Sequence, residues 1–257
     1  WFAAAFGCYL LALWLIRRRE PAPPARRLLM PGRAALAMVG PGQAEDVPRG
    51  AHPDGSPSRG SVVPALGIVL LVAVLARLVM LPTTPTLSDD IYRYRWDGRV
   101  QQAGFDPYAY PPTDPKLASL RDADFDKINF PQLRTVYPPV TEWALRLGAS
   151  LGPTLTAQKI VFVAAEVVTA FSLVLILWRR RRSPLWVLAY AWHPLVILEV
   201  AGSGHNDALA IAWLWLGLAA WEAHRVLGSA FAWAASVGTK FLAVLLIPWW
   251  WFRRARR

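Results

Sequence analysis

Cysteine is almost missing from this 257-residue chain: Cys8 stands alone, which excludes a disulfide framework and a cysteine-based metal site. Histidine is scarce as well, four in all, and acidic residues number 17 against 28 basic ones, a net charge of +11. Charge of either sign is nearly absent from long apolar runs, and 55% of the chain is hydrophobic with a mean hydropathy of +0.30. Average soluble domains do not cluster their apolar residues in this way. A helix needs about 20 apolar residues to cross the hydrocarbon core, and the runs 1–16, 61–81, 157–178, 184–200, 206–221 and 226–252 read as spans, the first of them cut short. No long internal repeat is evident. The first run is not a signal peptide, because its arginines follow it and no small-residue cleavage pattern comes next. Opening at Trp1 inside one apolar run and stopping at Arg253-Arg254-Ala255-Arg256-Arg257 just after another, the sequence is expected to be a fragment of a longer protein.

The positive excess is explained by topology. Basic residues favour cytoplasmic loops beside spans. With 17–60, 179–183, 222–225 and 253–257 inside, those segments hold 17 basic and five acidic residues, a net of +12, while 82–154 carries eight basic and nine acidic residues outside. Nucleic-acid binding is then unnecessary. The expected architecture is all-α, a polytopic transmembrane helix bundle in the cell membrane with a long outward-facing first loop. Its parts are a truncated span (1–16), a cytoplasmic Pro/Arg-rich linker (17–60), a span (61–81), an extracytoplasmic loop (82–154) and a bundle (155–257). Arg225 and Arg253 both favour the cytoplasm although one apolar run joins them. Two half-helices turning near Gly238-Thr239-Lys240 satisfy both ends; a single tilted helix is the alternative.

The outer loop is aromatic and punctuated by proline. Ser88 suits an N-cap, Asp89 and Asp90 the positive end of a helix, and Gly104 its stop. Tyr92, Trp96, Val100 and Ala103 fall on one stripe and Arg93, Asp97 and Gln101 on another, which predicts an interfacial helix lying flat on the membrane. Asp89 and Asp90 then stand where an aqueous acceptor and a lipid-borne donor both reach them, and two adjacent carboxylates exceed what a cap requires. One is a candidate general base. The motif Tyr110-Pro111-Pro112 recurs as Tyr137-Pro138-Pro139, giving rigid extended turns that present aromatic rings. A second polar element comprises His193-Pro194 and Glu199 to Asp207, including Gly204-His205-Asn206-Asp207. Ionisable residues at span ends are functional candidates, and hydrogen bonding to a sugar or phosphate suits this cluster better than zinc does. Lys240 and Arg77 are fixed positive charges for a phosphate, or snorkel to headgroups. Glu166, deep in its span, demands an internal partner.

Ser88-Asp89-Asp90-Ile91-Tyr92-Arg93-Tyr94, Trp96-Asp97-Gly98, Gly104-Phe105-Asp106-Pro107-Tyr108, Tyr137-Pro138-Pro139 and Gly204-His205-Asn206-Asp207, in this order, resemble the bacterial polyprenyl-phosphate-mannose-dependent mannosyltransferases. These belong to the GT-C superfamily and include the alpha-(1,6)-mannopyranosyltransferases and glycosyltransferase family 87. The resemblance implies inverting transfer from a polyprenyl monophosphate sugar to a glycan or glycolipid acceptor at the outer face, with Asp89 or Asp90 as base. It also implies a substrate site drawn from Arg93, Tyr94, Asp97, Tyr137, His205, Asn206, Asp207 and Lys240. No cofactor is assigned, and a divalent cation is left open because polyprenyl phosphate is a tolerable leaving group without one. Two rival readings are a secondary transporter with an acidic site at Glu166 and Asp207, and a noncatalytic membrane partner of an envelope assembly.

Overall fold

The computed structural model describes residues 2–19, 59–241 and 244; residues 20–58 of the linker expected at 17–60, and most of the second half of the half-helix pair expected at 226–252, lie outside the described residues. Among the described residues all regular structure is helical. Helices α1 (Phe2–Arg19) and α2 (Arg59–Met80) precede a long loop, which holds α3 (Asp90–Gln102) and α4 (Pro139–Leu151). Then come α5 (Leu155–Arg179), the short helices α6 (Leu188–Ala191) and α7 (Pro194–Ile197), α8 (Asp207–Glu222) and α9 (Val226–Thr239). Among the described residues two helices, Val62–Met80 and Leu155–Arg179, are long and apolar enough to cross a membrane. The 25 residues of α5 rise about 37 Å at 1.5 Å each, and Thr154 caps its start by accepting from the Ala157 N–H at 3.1 Å.

The run at 184–200 is not one straight helix. Pro184–Ala191 and Pro194–Gly202 meet at 58°. Pro194 supplies no N–H and forces His193 out of helical geometry (φ −64°, ψ 116°), so the helix breaks there. His193 packs edge-on against Tyr9 of α1, centroids 5.1 Å apart, and takes no part in the 199–207 cluster. The second half closes in a π-helical turn, Leu198–Gly202. At the opposite end of α8, Arg180 pairs with Glu222 at 2.6 Å and gathers the C-termini of α5 and α8 on one face. Helix α9 stops at Thr239, with Lys240 fully extended (φ −158°, ψ 137°).

Arg77 neither snorkels nor awaits a phosphate. It is the partner that Glu166 demands: Nε donates to Oε2 at 3.1 Å and Nη2 to Oε1 at 3.0 Å, while Nη1 reaches the carbonyls of Ala73 and Ala191. Both side chains are buried. A charge in so apolar a setting is tolerable only with its lone pairs and protons satisfied, and this fork ties α2, α5 and α6 together.

Helix α3 does not lie flat on a surface. Residues on every side of it are buried, Ile91, Tyr92, Arg93, Tyr94, Trp96, Asp97, Gly98 and Val100 among them. Its polar stripe has internal partners: Arg93 pairs with Asp97 at 2.9 Å and Gln101 donates to the Glu142 carboxyl at 2.6 Å; outside the stripe, Arg95 reaches Asp122 and Asp124 at 2.9 and 3.0 Å. Arg99 joins Asp122 as well. The rest of the loop therefore folds over the helix where water or headgroups were expected. Gly104 (φ +83°) stops it as expected. Gly98 lies so close to the Leu145 carbonyl that an added Cβ would collide with it, which seats α3 on α4. The amphipathic helix with an outward apolar stripe is α4, whose Trp143, Leu147 and Leu151 recur every four residues and stay exposed.

Candidate active site

The first turn of α3 carries Asp90, and the residues just before it are held by α5. Lys159, fully buried, donates to the Thr83 carbonyl at 2.6 Å and so anchors the chain that leads out of α2. Ser88 Oγ accepts from the Asp90 N–H at 3.2 Å. Asp89 is exposed; Asp90 is half-buried and accepts from Asn129 Nδ2 at 3.3 Å. One turn further on, Tyr94 packs edge-on against Tyr137 (5.2 Å) and Phe162 (5.7 Å). Burial raises the Tyr94 phenol, and Tyr137 and the carboxylates of Asp90 and Asp207 raise it further. Asp90 and Asp207, 117 positions apart, are thus both close enough for their charges to act on one phenol.

The second wall comes from the turn between the broken helix and α8. Gly204 (φ +77°) lies against Ile91, the residue after Asp90, with no room for a Cβ. His205 Nδ1 is hydrogen-bonded to Glu199 Oε2, which orients the ring and leaves Nε2 for another partner. Asn206 is buried at the start of α8 and makes no side-chain cap. Asp207 accepts from Lys240 Nζ at 2.6 Å. Lys240 is brought there by α9, which is tied to α4 through Thr141 Oγ1 donating to the Thr239 carbonyl at 2.8 Å, and to α8 through Ser236 Oγ donating to the Ala210 carbonyl at 2.8 Å.

Of the expected site residues, Asp90, Tyr94, Tyr137, Asp207 and Lys240 converge here, with His205 beside them and Asp89 at the exposed rim. Arg93 and Asp97 are buried and bonded to one another. Next to them lies Glu142, in the first turn of α4, which the sequence analysis did not single out. Its Oε2 accepts from Gln101 Nε2 and its Oε1 meets Thr135 Oγ1, each at 2.6 Å. Burial, aided by the Asp97 carboxylate, pushes Glu142 up to about 8. Asp97 rises less, to about 6, because Arg93 opposes its burial. Glu142 is therefore the member that keeps a proton near neutrality.

Both folded-state values lie above the ordinary carboxylate range, so the folded protein holds extra protons between about pH 4.5 and 8. The stabilisation is full below that window and is lost as pH rises through it. Thermal unfolding of the purified protein is expected to show stability falling from pH 5 to 8.5, and Glu142→Gln is expected to flatten the fall. An equal slope in that variant would remove Glu142 as the cause.

Among the described residues no group of three or more His, Cys, Asp or Glu side chains gathers as a metal site. A cleft of about 460 Å³ opens at the far end of α3, lined by Gln101, Asp106, Tyr108, Glu142 and Trp143 among others, and not by Asp89, Asp90 or Asp207.

An all-α membrane protein whose long loop between α2 and α5 folds over a cluster of carboxylates, phenols and a lysine is the class that helices and site define. The chain belongs to the family described as alpha-(1->6)-mannopyranosyltransferase, N-terminal domain, whose model matches residues 58–255. It is similar to alpha-(1->6)-mannopyranosyltransferase A of Corynebacterium glutamicum, 26% identical over 193 residues. That match covers 71% of this chain and 38% of the relative. No solved structure matches.

Proposed function

We propose that this chain supplies the catalytic half of a multi-pass membrane mannosyltransferase that takes its sugar from a polyprenyl monophosphate donor at the outer face of the membrane. The observation that carries the reading is the convergence of Asp90, Tyr94, Asp207 and Lys240 from separate elements of a chain that belongs to a mannopyranosyltransferase family. Asp90 is the general base. It is half-exposed, held by Asn129, and stands at the positive end of α3, where a carboxylate is at home until it accepts a proton. The acceptor hydroxyl loses its proton to Asp90 as its oxygen attacks the anomeric carbon. The bond to the phosphate oxygen breaks on the opposite face, and the configuration inverts. Lys240, positioned by Asp207, offsets charge growing on the departing phosphate, with His205 Nε2 as a second contact. Asp89 is the alternative base, exposed and one residue away.

The acids that a transporter would use are engaged otherwise, Glu166 by Arg77 and Asp207 by Lys240. An inverting enzyme that builds an alpha linkage consumes a beta-linked donor. Membranes bearing the full-length protein are expected to transfer labelled mannose from beta-linked polyprenyl-phosphate mannose and to release an alpha-linked product. Retention of configuration, or transfer from a nucleotide sugar with no lipid donor, would overturn the mechanism.

A further inference from the structure

The cleft of about 460 Å³ at the C-terminal end of α3 lies on the opposite end of that helix from Asp90, about 17 Å along the axis for the 11 residues between Asp90 and Gln101. Its rim is aromatic. Trp143 is 69% exposed on the outer side of α4 and Tyr108 41% exposed on the facing loop, both large rings with open faces on the same depression. Its floor is polar and already ordered. Gln101 spends its amide nitrogen on the Glu142 carboxyl and carbonyl at 2.6 and 2.9 Å, so it has its carbonyl oxygen left to offer a ligand. Asp106 uses one carboxylate oxygen on the Tyr108 N–H at 2.8 Å and keeps the other. Arg146 supplies donors.

The balance of charge decides what fits. With Glu142 protonated near neutrality, the lining carries one carboxylate, Asp106, against one guanidinium, Arg146, so the cleft has no net charge with which to recruit a phosphate or carboxylate ligand. Open aromatic faces over paired acceptors and donors suit a molecule with apolar C–H faces and many hydroxyls. The cleft is also wired to the aspartate site. Tyr108 Oη donates to the Tyr137 carbonyl at 2.6 Å, and the Thr135 N–H donates to the Pro107 carbonyl at 3.3 Å, so one strap of chain carries both the cleft wall and the ring beside Tyr94. We propose that this cleft binds the uncharged oligosaccharide chain of the acceptor, gripping its inner sugars on Trp143 and Tyr108 while its end reaches Asp90. The acceptor role rests on the mannosyltransferase reading; the carbohydrate-binding role does not.

The test is titration of the purified full-length protein with an alpha-1,6-linked mannooligosaccharide, in parallel with transfer kinetics. Trp143→Ala removes an exposed ring and leaves the core intact. It is expected to weaken oligosaccharide binding at least tenfold and to raise the acceptor KM by a similar factor, with donor KM and kcat at saturating acceptor unchanged; Trp143→Phe is expected to retain most of the affinity. Absence of binding by the wild type, equal affinity in Trp143→Ala, or displacement of the sugar by inorganic phosphate would each overturn the assignment. If the wild type binds the oligosaccharide through Trp143 yet transfers nothing from polyprenyl-phosphate mannose, the cleft stands and the proposed reaction falls.

Discussion

Asp90→Asn is expected to lower mannosyl transfer about 10²- to 10⁴-fold, the span that general-base catalysis contributes, with the KM values for donor and acceptor little changed. Asparagine keeps the shape of the side chain and its contact with Asn129, so the protein loses a proton acceptor and little else. Asp90 also opposes the positive end of α3, a role worth about 0.3–1 kcal/mol. If capping were its only role, Asp90→Asn would shift thermal stability slightly and leave kcat intact. A large fall in kcat beside at most that slight shift of the unfolding midpoint separates the two. Asp89→Asn is expected to cost far less, since Asp89 is exposed and faces no second wall; the reverse order of effects would move the base to Asp89.

The second large effect concerns the bundle. Arg77→Met leaves Glu166 buried among apolar helices with no cation, and loss of one member of a buried pair costs about 3–5 kcal/mol. The variant is expected to unfold well below the wild type in detergent, or to fail to accumulate. Removing Glu166 in the same chain, as Arg77→Met/Glu166→Met, is expected to recover most of that loss, because well-packed apolar residues often replace a buried pair without penalty. A double variant no more stable than Arg77→Met would show that the Arg77 contacts with the Ala73 and Ala191 carbonyls matter more than the ion pair. Activity is expected to fall with stability, since α2 delivers the chain that Lys159 holds and that ends at Asp90.

Legibility in the sequence followed the range of the forces involved. Spans are local, and the hydropathy that marked 61–81 and 157–178 corresponds to α2 and α5 within a few residues. The break in the 184–200 run was legible in principle, since Pro194 and its effect on His193 are local as well, but the length of the apolar run concealed it. The place of α3 was not legible. A polar stripe marks a surface helix only when no other part of the chain neutralises it, and Asp122, which neutralises Arg95 and Arg99, comes more than 20 residues later. The same limit hid Arg77 from Glu166, 89 positions away. For the site, the sequence offered Asp90, Tyr94, Tyr137 and Asp207 as separate motifs. That the charges of both carboxylates act on Tyr94 depends on how α5 and the turn before α8 receive α3, and no spacing encodes it. Glu142 gave no sign of its raised affinity for a proton, because burial by Thr135, Gln101 and the α3 backbone is a property of the folded loop.

The measurement that bears most directly on the whole picture is the location of the donor. Full-length protein in its native membrane, incubated with polyprenyl-phosphate mannose carrying a diazirine on the first isoprene unit, is irradiated and mapped by mass spectrometry. Labels are expected within 88–94, 204–207 and at Lys240, the two walls that meet at Tyr94. Labels confined to the cleft of Gln101, Tyr108 and Trp143, with none on those walls, would contradict a catalytic centre at the start of α3.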